Sequence, residues 1–310
     1  MFQKFLKTFL LVILFIFLFF LLLFFILWWG IFIPKEKISK AKIFSVEKGE
    51  SLLEIGEKLE KESFIKNKIF FTLYVLSIGK HKNLQAGKYF LSSSMNIPEI
   101  AQKIISGEIA NIKVTIPEGS TIKDIEEKLG IKLPKENLEG YLFPDTYYFP
   151  VGVTGEEVVR IMRENFEKKI APYREEIKKS GRTLHEIIVM ASLLEKEVKT
   201  KEDKELVSGI LWKRLEVGMP LQVDATITYI TGKKTTKIPL EDLQIDSPYN
   251  TYKYKGLPPA PICNPGLESI LAALYPKESD YWYYLSTPEG KTIFSKTLQE
   301  HNIAKEKYLK

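Results

Sequence analysis

From Thr8 to Pro34 the chain is almost wholly Leu, Phe, Ile and Trp, and no side chain in that run is charged. A helix needs about 20 apolar residues to cross the hydrocarbon layer of a membrane, so the run predicts a spanning helix. Trp28 and Trp29 stand near its far end, where amphipathic rings prefer the interface, and Pro34 with the lysines from Lys35 onward stops it. A cleaved signal peptide has a shorter apolar region followed by a small-residue cleavage site. No A-x-A pattern follows here, so an uncleaved anchor is predicted. Lys4 and Lys7 precede the helix and Lys35, Lys37, Lys40 and Lys42 follow it. A positive-inside count would keep the large domain in the cytoplasm, but long domains cross regardless of local charge. At this point both orientations stay open.

Beyond Ala41 the pattern becomes amphipathic and partly repeats. FSVEKGESLLEIGEKL (Phe44 to Leu59) and VTIPEGSTIKDIEEKL (Val114 to Leu129) each read as a β-branched strand, a turn at Gly49 or Gly119, and a helix. In the first copy Ser51 and Glu54 have capping-box spacing, and Leu52, Ile55 and Leu59 form an apolar stripe. Ile122, Ile125 and Leu129 repeat that stripe. Between the copies the pattern predicts a helix over 69–78, a strand at GKYFLS (Gly87 to Ser92) and a helix over 97–106. EGYLFPDTYYFP, ending at Pro150, is too rich in proline for a regular helix and reads as a packed loop joining domains or as an aromatic cleft wall. Residues 154–169 are helical by pattern, and Pro172 can open the next helix.

LHEIIVMASLLEKEV (Leu184 to Val198) is a strongly apolar helix that delivers two carboxylates, Glu195 and Glu197, at its end. Residues two apart point to nearly opposite sides of a helix, so these acids cannot share one substrate atom. One is expected to face a pocket, the other solvent or a partner base. An apolar setting raises a carboxyl's pKa by desolvation, which keeps a Glu protonated for general-acid work. A solvated E-K-E helix end is the plainer alternative, and periodicity does not choose between them. Next comes GILWKRLEVGMPLQVDATITYITG, read as a helix with Trp212 and Leu215, a turn at Gly218, and a segment bearing Gln222 and Asp224. The loop SPYNTYKYKGLPPAPICNPG (Ser247 to Gly266) is crowded with Tyr, Asn, Pro and Gly, and such loops are usually functional or tightly packed. ESILAALYP reads as a helix, and YWYYLSTPEGKTIFS as a hairpin turning at Pro288-Glu289-Gly290.

Composition narrows the function classes. With 310 residues, 45% hydrophobic and 27% charged, the chain suits one or two globular domains. Past Pro34 it holds 43 bases against 39 acids, a balance that argues against a nucleic-acid binder. A single cysteine, Cys263, excludes an internal disulfide framework and a Cys-based zinc cluster. Three scattered histidines leave little material for a metal site, so neither metal nor cofactor is expected. Neither G-x-S-x-G nor S-x-x-K occurs in a context that fits a serine peptidase.

Two resemblances sharpen this reading. Val46, Gly49, Ser51, Leu52, Ile55, Gly56 and Leu59 resemble the pattern of LysM, a small βααβ module that binds N-acetylglucosamine-containing glycans. Over nearly the whole chain, ASLLEKE, RLEVGMPLQVDATITY, SPYNTY, GLPPAPICNPG and the closing F-S-x-T-x-x-E-H-N, together with GYLFPDTY and the N-terminal anchor, resemble the MltG (YceG-like) endolytic murein transglycosylases. That family implies an α+β fold in three parts. They are a transmembrane anchor over 1–34 with a short cytoplasmic N-terminus, a LysM-like domain over 41–112 and a catalytic domain over 113–310. It also implies a lyase, single-pass in the inner membrane with its globular part on the periplasmic side. Its substrate would be nascent peptidoglycan strands, with peptidoglycan synthases and division proteins as further partners.

The family's reaction cleaves the β-1,4 bond between N-acetylmuramic acid and N-acetylglucosamine without water, leaving a 1,6-anhydro end. By the resemblance, the catalytic acid falls on Glu197, with Glu195 as the fallback. Gln222, Asp224, Tyr249, Asn250 and Tyr252 fall in the cleft blocks as substrate-side candidates. Each has a structural alternative: Asp224 as a helix cap, Asn250 and Tyr252 as loop-fixing hydrogen bonders. One carboxyl that gives and then reclaims a proton suffices for this chemistry, whereas hydrolysis normally needs a partner acid, for which Asp224 is the nearby candidate. The competing expectations are therefore a hydrolytic muramidase using Glu197 and Asp224, and a non-catalytic peptidoglycan-binding anchor for wall synthases.

Overall fold

The protein is described by a computed structural model covering residues 2–233 and 238–309. Among these residues helices predominate, and the strands form two-stranded sheets, a mixed helix-and-strand architecture. The chain divides into two compact units. The first comprises 1–112 and 148–152, and the second 113–147 and 153–310.

The first unit begins with α1 (Phe2–Phe32). Its stretch Phe5–Phe32 is long and apolar enough to cross a membrane, and none of its most apolar window is buried inside the protein. Then follow β1 (Lys42–Val46), α2 (Leu52–Lys61), α3 (Lys68–Ser77), β2 (Gly87–Leu91) and α4 (Ile97–Ser106). β1 and β2 pair antiparallel, with Phe44 opposite Tyr89, so β1-α2-α3-β2 forms a βααβ unit. The capping box read from Ser51 and Glu54 is present: the Ser51 hydroxyl accepts from Glu54 N and the Glu54 carboxylate accepts from Ser51 N. The stripe it starts is buried at Ile55 and Leu59, which join Phe44, Phe71, Val75, Tyr89 and Ile100 in one core. Each such side chain withdrawn from water contributes about 1.5–3 kcal/mol.

The second unit uses β3 (Asn111–Thr115), α5 (Ile122–Leu129), β4 (Thr146–Pro150), α6 (Gly155–Ile170), α7 (Arg174–Lys179), α8 (Leu184–Glu197), α9 (Lys201–Glu216), α10 (Asp224–Thr231), α11 (Leu267–Leu274), β5 (Tyr283–Ser286), β6 (Thr292–Ser295) and α12 (Leu298–Tyr308). The chain passes from one unit to the other within β3 and β4, which pair with each other. α8 is the axis of this unit. Thr183 and Glu186 form its capping box, and every residue from Ile187 to Leu194 is buried, which explains a helix apolar on all sides. α9 and α11 pack along it. The pattern beyond Gly218 concealed two helices. α10 is only two turns long and opens without a side-chain cap of its own, and α12 alternates apolar and charged residues with only His301 and Ala304 buried.

Candidate active site

The acids at the end of α8 part ways. Glu197 turns its carboxyl toward the start of α10 and toward β5. Its Oε1 accepts from Ala225 N at 3.2 Å and its Oε2 from the Tyr284 hydroxyl at 3.1 Å. The bond from Ala225 satisfies one of the unpaired donors that open α10, so the carboxylate does what Val223, the N-cap residue, cannot do. Burial pushes the Glu197 pKa up from 4.5 to about 7, and the nearby Asp224 carboxylate adds to the rise. The bonds from Ala225 and Tyr284 pull the other way and lose to desolvation. At neutral pH the group is therefore divided between acid and carboxylate.

Glu195 faces elsewhere. Its Oε2 accepts from Gly266 N at 3.0 Å and from the Ser269 hydroxyl at 2.6 Å, at the start of α11. Its Oε1 stands 3.7 Å from Lys204 Nζ, which lies 3.2 Å from Glu268. Lys204 is almost wholly buried, so this carboxylate compensates a cation removed from water. Glu195 thus links α8 to the start of α11 through Oε2 and to Lys204 of α9 through Oε1.

The segment 221–226 and the SPYNTY loop meet through Thr251. Its hydroxyl accepts from Val223 N at 2.9 Å and lies 3.1 Å from the Thr226 hydroxyl, and its carbonyl accepts from Gln222 N at 3.1 Å. Asp224 is the first residue of α10, exposed, and caps nothing; its carboxylate instead accepts from the Tyr252 hydroxyl. That corrects the helix-cap alternative for Asp224. Burial and the Asp224 charge push the Tyr252 hydroxyl pKa up, so it remains a donor. Gln222 has a left-handed backbone, φ +53°, and an exposed side chain. Tyr249 packs its ring 5.1 Å from that of Tyr229. Asn250 is fully buried and its amide is used within the loop. Nδ2 donates to Leu243 O and Ile245 O at 2.9 and 2.8 Å, and Oδ1 accepts from Tyr252 N and Lys253 N. In this structure the Asn250 amide is occupied as its loop-fixing alternative describes.

Of the residues expected from the sequence, Glu197, Asp224 and Tyr252 come together, with Gln222 and Tyr249 on the segments that carry them. Two contributors were not foreseen. Tyr284 looked like one more aromatic in a hairpin strand. Arg214 lies within RLEVGMPLQVDATITY, and nothing local in that segment marks it as a buried cation. Its Nη1 donates to Leu221 O at 2.8 Å, and its Nε and Nη2 donate to Trp282 O at 2.9 and 2.6 Å. It thereby ties the segment entering α10 to the strand that carries Tyr284. The GLPPAPICNPG loop docks on α8 at Ser192, whose hydroxyl accepts from Ile262 N at 3.1 Å. Cys263, fully buried, directs its thiol at Ser192 O. Burial raises its pKa well above the usual thiol value, so it is not a nucleophile. Among the described residues, no group of three or more His, Cys, Asp or Glu could hold a metal ion.

Known proteins with similar sequences carry one name. The chain is 35% identical to an endolytic murein transglycosylase of Bacillus subtilis, over 89% of this chain and 87% of that protein. It is 31% identical to an endolytic murein transglycosylase of Streptococcus pneumoniae, over 83% of this chain and 56% of that protein. The match therefore spans little more than half of the streptococcal relative. A crystal structure of a yceG-like protein from Listeria monocytogenes superposes with a TM-score of 0.58 at 34% identity, covering 86% of this chain and all of that one. Residues 44–307 match the YceG-like family. With that match over most of its length, and relatives at this identity on either side of it, the chain belongs to the YceG-like family.

Proposed function

We propose that the chain is an endolytic murein transglycosylase, a lyase that cuts peptidoglycan strands between N-acetylmuramic acid and N-acetylglucosamine, with Glu197 as its one acid–base group. Protonated Glu197 donates to the glycosidic oxygen as the C1–O bond breaks and positive charge develops at C1. The substrate's N-acetyl group stabilises that charge. The Glu197 carboxylate then takes the proton of the C6 hydroxyl as O6 closes onto C1, giving the 1,6-anhydro end and restoring the acid. No water is consumed. Tyr284 and Ala225 N fix the direction of the carboxyl, and Asp224 helps to hold a proton on it near neutrality. Gln222, Asp224, Tyr249 and Tyr252 are the groups assigned to the sugar.

The observation that carries this reading is the Glu197 carboxyl, poised at about pH 7 beside a charged Asp224. The names of the relatives support the substrate. The competing reading is hydrolysis with Asp224 as partner acid, favoured by that same proximity. Mass spectrometry of the ends released from isolated glycan strands tests both. Anhydro ends from the native protein and none from Glu197→Gln support the proposal. Reducing ends would move the assignment to a muramidase, and release of nothing by either protein to a binding anchor.

On the same reading α1 spans the membrane, with the globular part outside the inner membrane. The βααβ unit is LysM-like, supported by its element order and antiparallel pairing. Synthases and division proteins are the partners such a placement would bring near.

A further inference from the structure

We propose that α3 is an interfacial element. On the reading that α1 spans the membrane, the exposed apolar face of α3 lies on the lipid surface from which α1 emerges. The end of α1 is built into the first unit. Lys66 Nζ donates to Trp29 O in the last turn of α1 at 3.1 Å and to Ile33 O just beyond it at 2.8 Å, and stands 3.7 Å over the Trp29 ring. One turn on, Phe70 packs so closely on Gly30 that a Cβ there would lie 2.5 Å from its ring. The start of α3 is thereby held at the level of Trp28 and Trp29, the pair expected at the headgroups.

α3 is apolar along its length. Phe71 and Val75 face the core, but Ile69, Leu73 and Leu76 repeat at helical spacing on another face and are 58%, 44% and 50% exposed. That face adjoins the one bearing Phe70, so it continues the surface where α1 meets the unit. At the start of α3 Lys68 is paired with the exposed Glu57 at 3.1 Å, whereas the charges beyond its far end are basic. Lys35, Lys37 and Lys40 follow the span, and Lys80, His81 and Lys82 follow α3, with Glu36 the one acid in those two stretches. An apolar stripe flanked by lysines and continuous with a spanning helix suits a bilayer containing anionic lipids.

The test uses the full chain in vesicles of phosphatidylcholine with phosphatidylglycerol. An environment-sensitive fluorophore is placed at Leu73→Cys, at Phe19→Cys within the span, and at Lys61→Cys as an exposed reference; Cys263 is buried and escapes labelling. Lipids with a nitroxide near the headgroup should remove most of the fluorescence at 73 and little at 61, and a deep-chain nitroxide should quench 19. Omitting phosphatidylglycerol should weaken the effect at 73 alone. If 19 is quenched but 73 is reached by aqueous iodide as readily as 61, the inference falls while the anchor stands. If 73 is shielded from both iodide and lipid nitroxide, a second copy or another protein covers the face, and the inference falls too. Failure of the label at 19 would overturn the spanning reading and this inference together.

Discussion

Glu195 and Glu197 stand two positions apart on α8 and are bonded into different neighbourhoods, the first to Gly266 N and Ser269 at the head of α11, the second to Ala225 N and Tyr284. A helix turns roughly 100° per residue, so the separation follows from geometry alone. What each acid can do is set by what its side of the helix meets.

Exchanging each acid for its amide should therefore give opposite phenotypes. Glu197→Gln should lower turnover of glycan strands by about 10²–10⁴-fold, the usual contribution of general acid catalysis. Glu195→Gln should retain far more activity but lose about 1–3 kcal/mol of stability, because Ser269, Gly266 N and the buried Lys204 lose a charged acceptor. Initial rates of strand cleavage and urea unfolding of both variants check this.

Activity should fall as pH rises through about 7, the point at which Glu197 loses its proton. Asp224→Asn removes a charge that raises that pKa and should move the alkaline limb to lower pH. Tyr284→Phe removes a hydrogen bond that lowers it and should move the limb higher. Rates measured across pH for the three proteins give the two displacements, and equal limbs would refute the assignment.

The same carboxyl sets a pH-dependent stability. Folding raises its pKa from 4.5 to about 7, so between these values the folded state binds more protons, and stability declines as pH rises. The full loss, reached above about pH 7, is on the order of 3 kcal/mol. Glu197→Gln, which has no charge to bury, should melt higher than the native protein at about pH 9 and show little advantage at about pH 4. Calorimetry at the two values measures the difference.

Asn250→Ala should cost about 1–3 kcal/mol, since it leaves Leu243 O, Ile245 O and Tyr252 N buried without their partner. Activity should fall with it, because the loop places Tyr252 against Asp224. Hydrogen exchange confined to 243–253 would distinguish loop loosening from global unfolding.

Much of this was legible in the chain. The Ser51–Glu54 box, the apolar run of α8 and the Gly218 turn are local patterns, and local patterns fix local structure. The split between the two glutamates followed from helical spacing, but their assignment required knowing that Ala225 and Ser269 approach from opposite sides. α10 has no local start signal because its capping group comes from Glu197 rather than from its own N-cap. Neither Arg214 nor Tyr284 belongs to a periodic pattern, and their roles exist only once distant segments are adjacent. The burial of Asn250 and the bonds of its amide to residues 243–253 likewise follow from how the loop folds back on itself, which spacing does not reveal.

The stretch 148–152, the end of β4 and the turn after it, belongs to the first unit although it is synthesised after residues 113–147 of the second. Each unit is therefore discontinuous along the polypeptide, and neither can be excised by one cut. A ribosome must finish part of the later unit before the earlier one has all its chain. The unit beside the anchor cannot complete itself ahead of the rest, and any shortened version that keeps it whole must extend at least to Gly152.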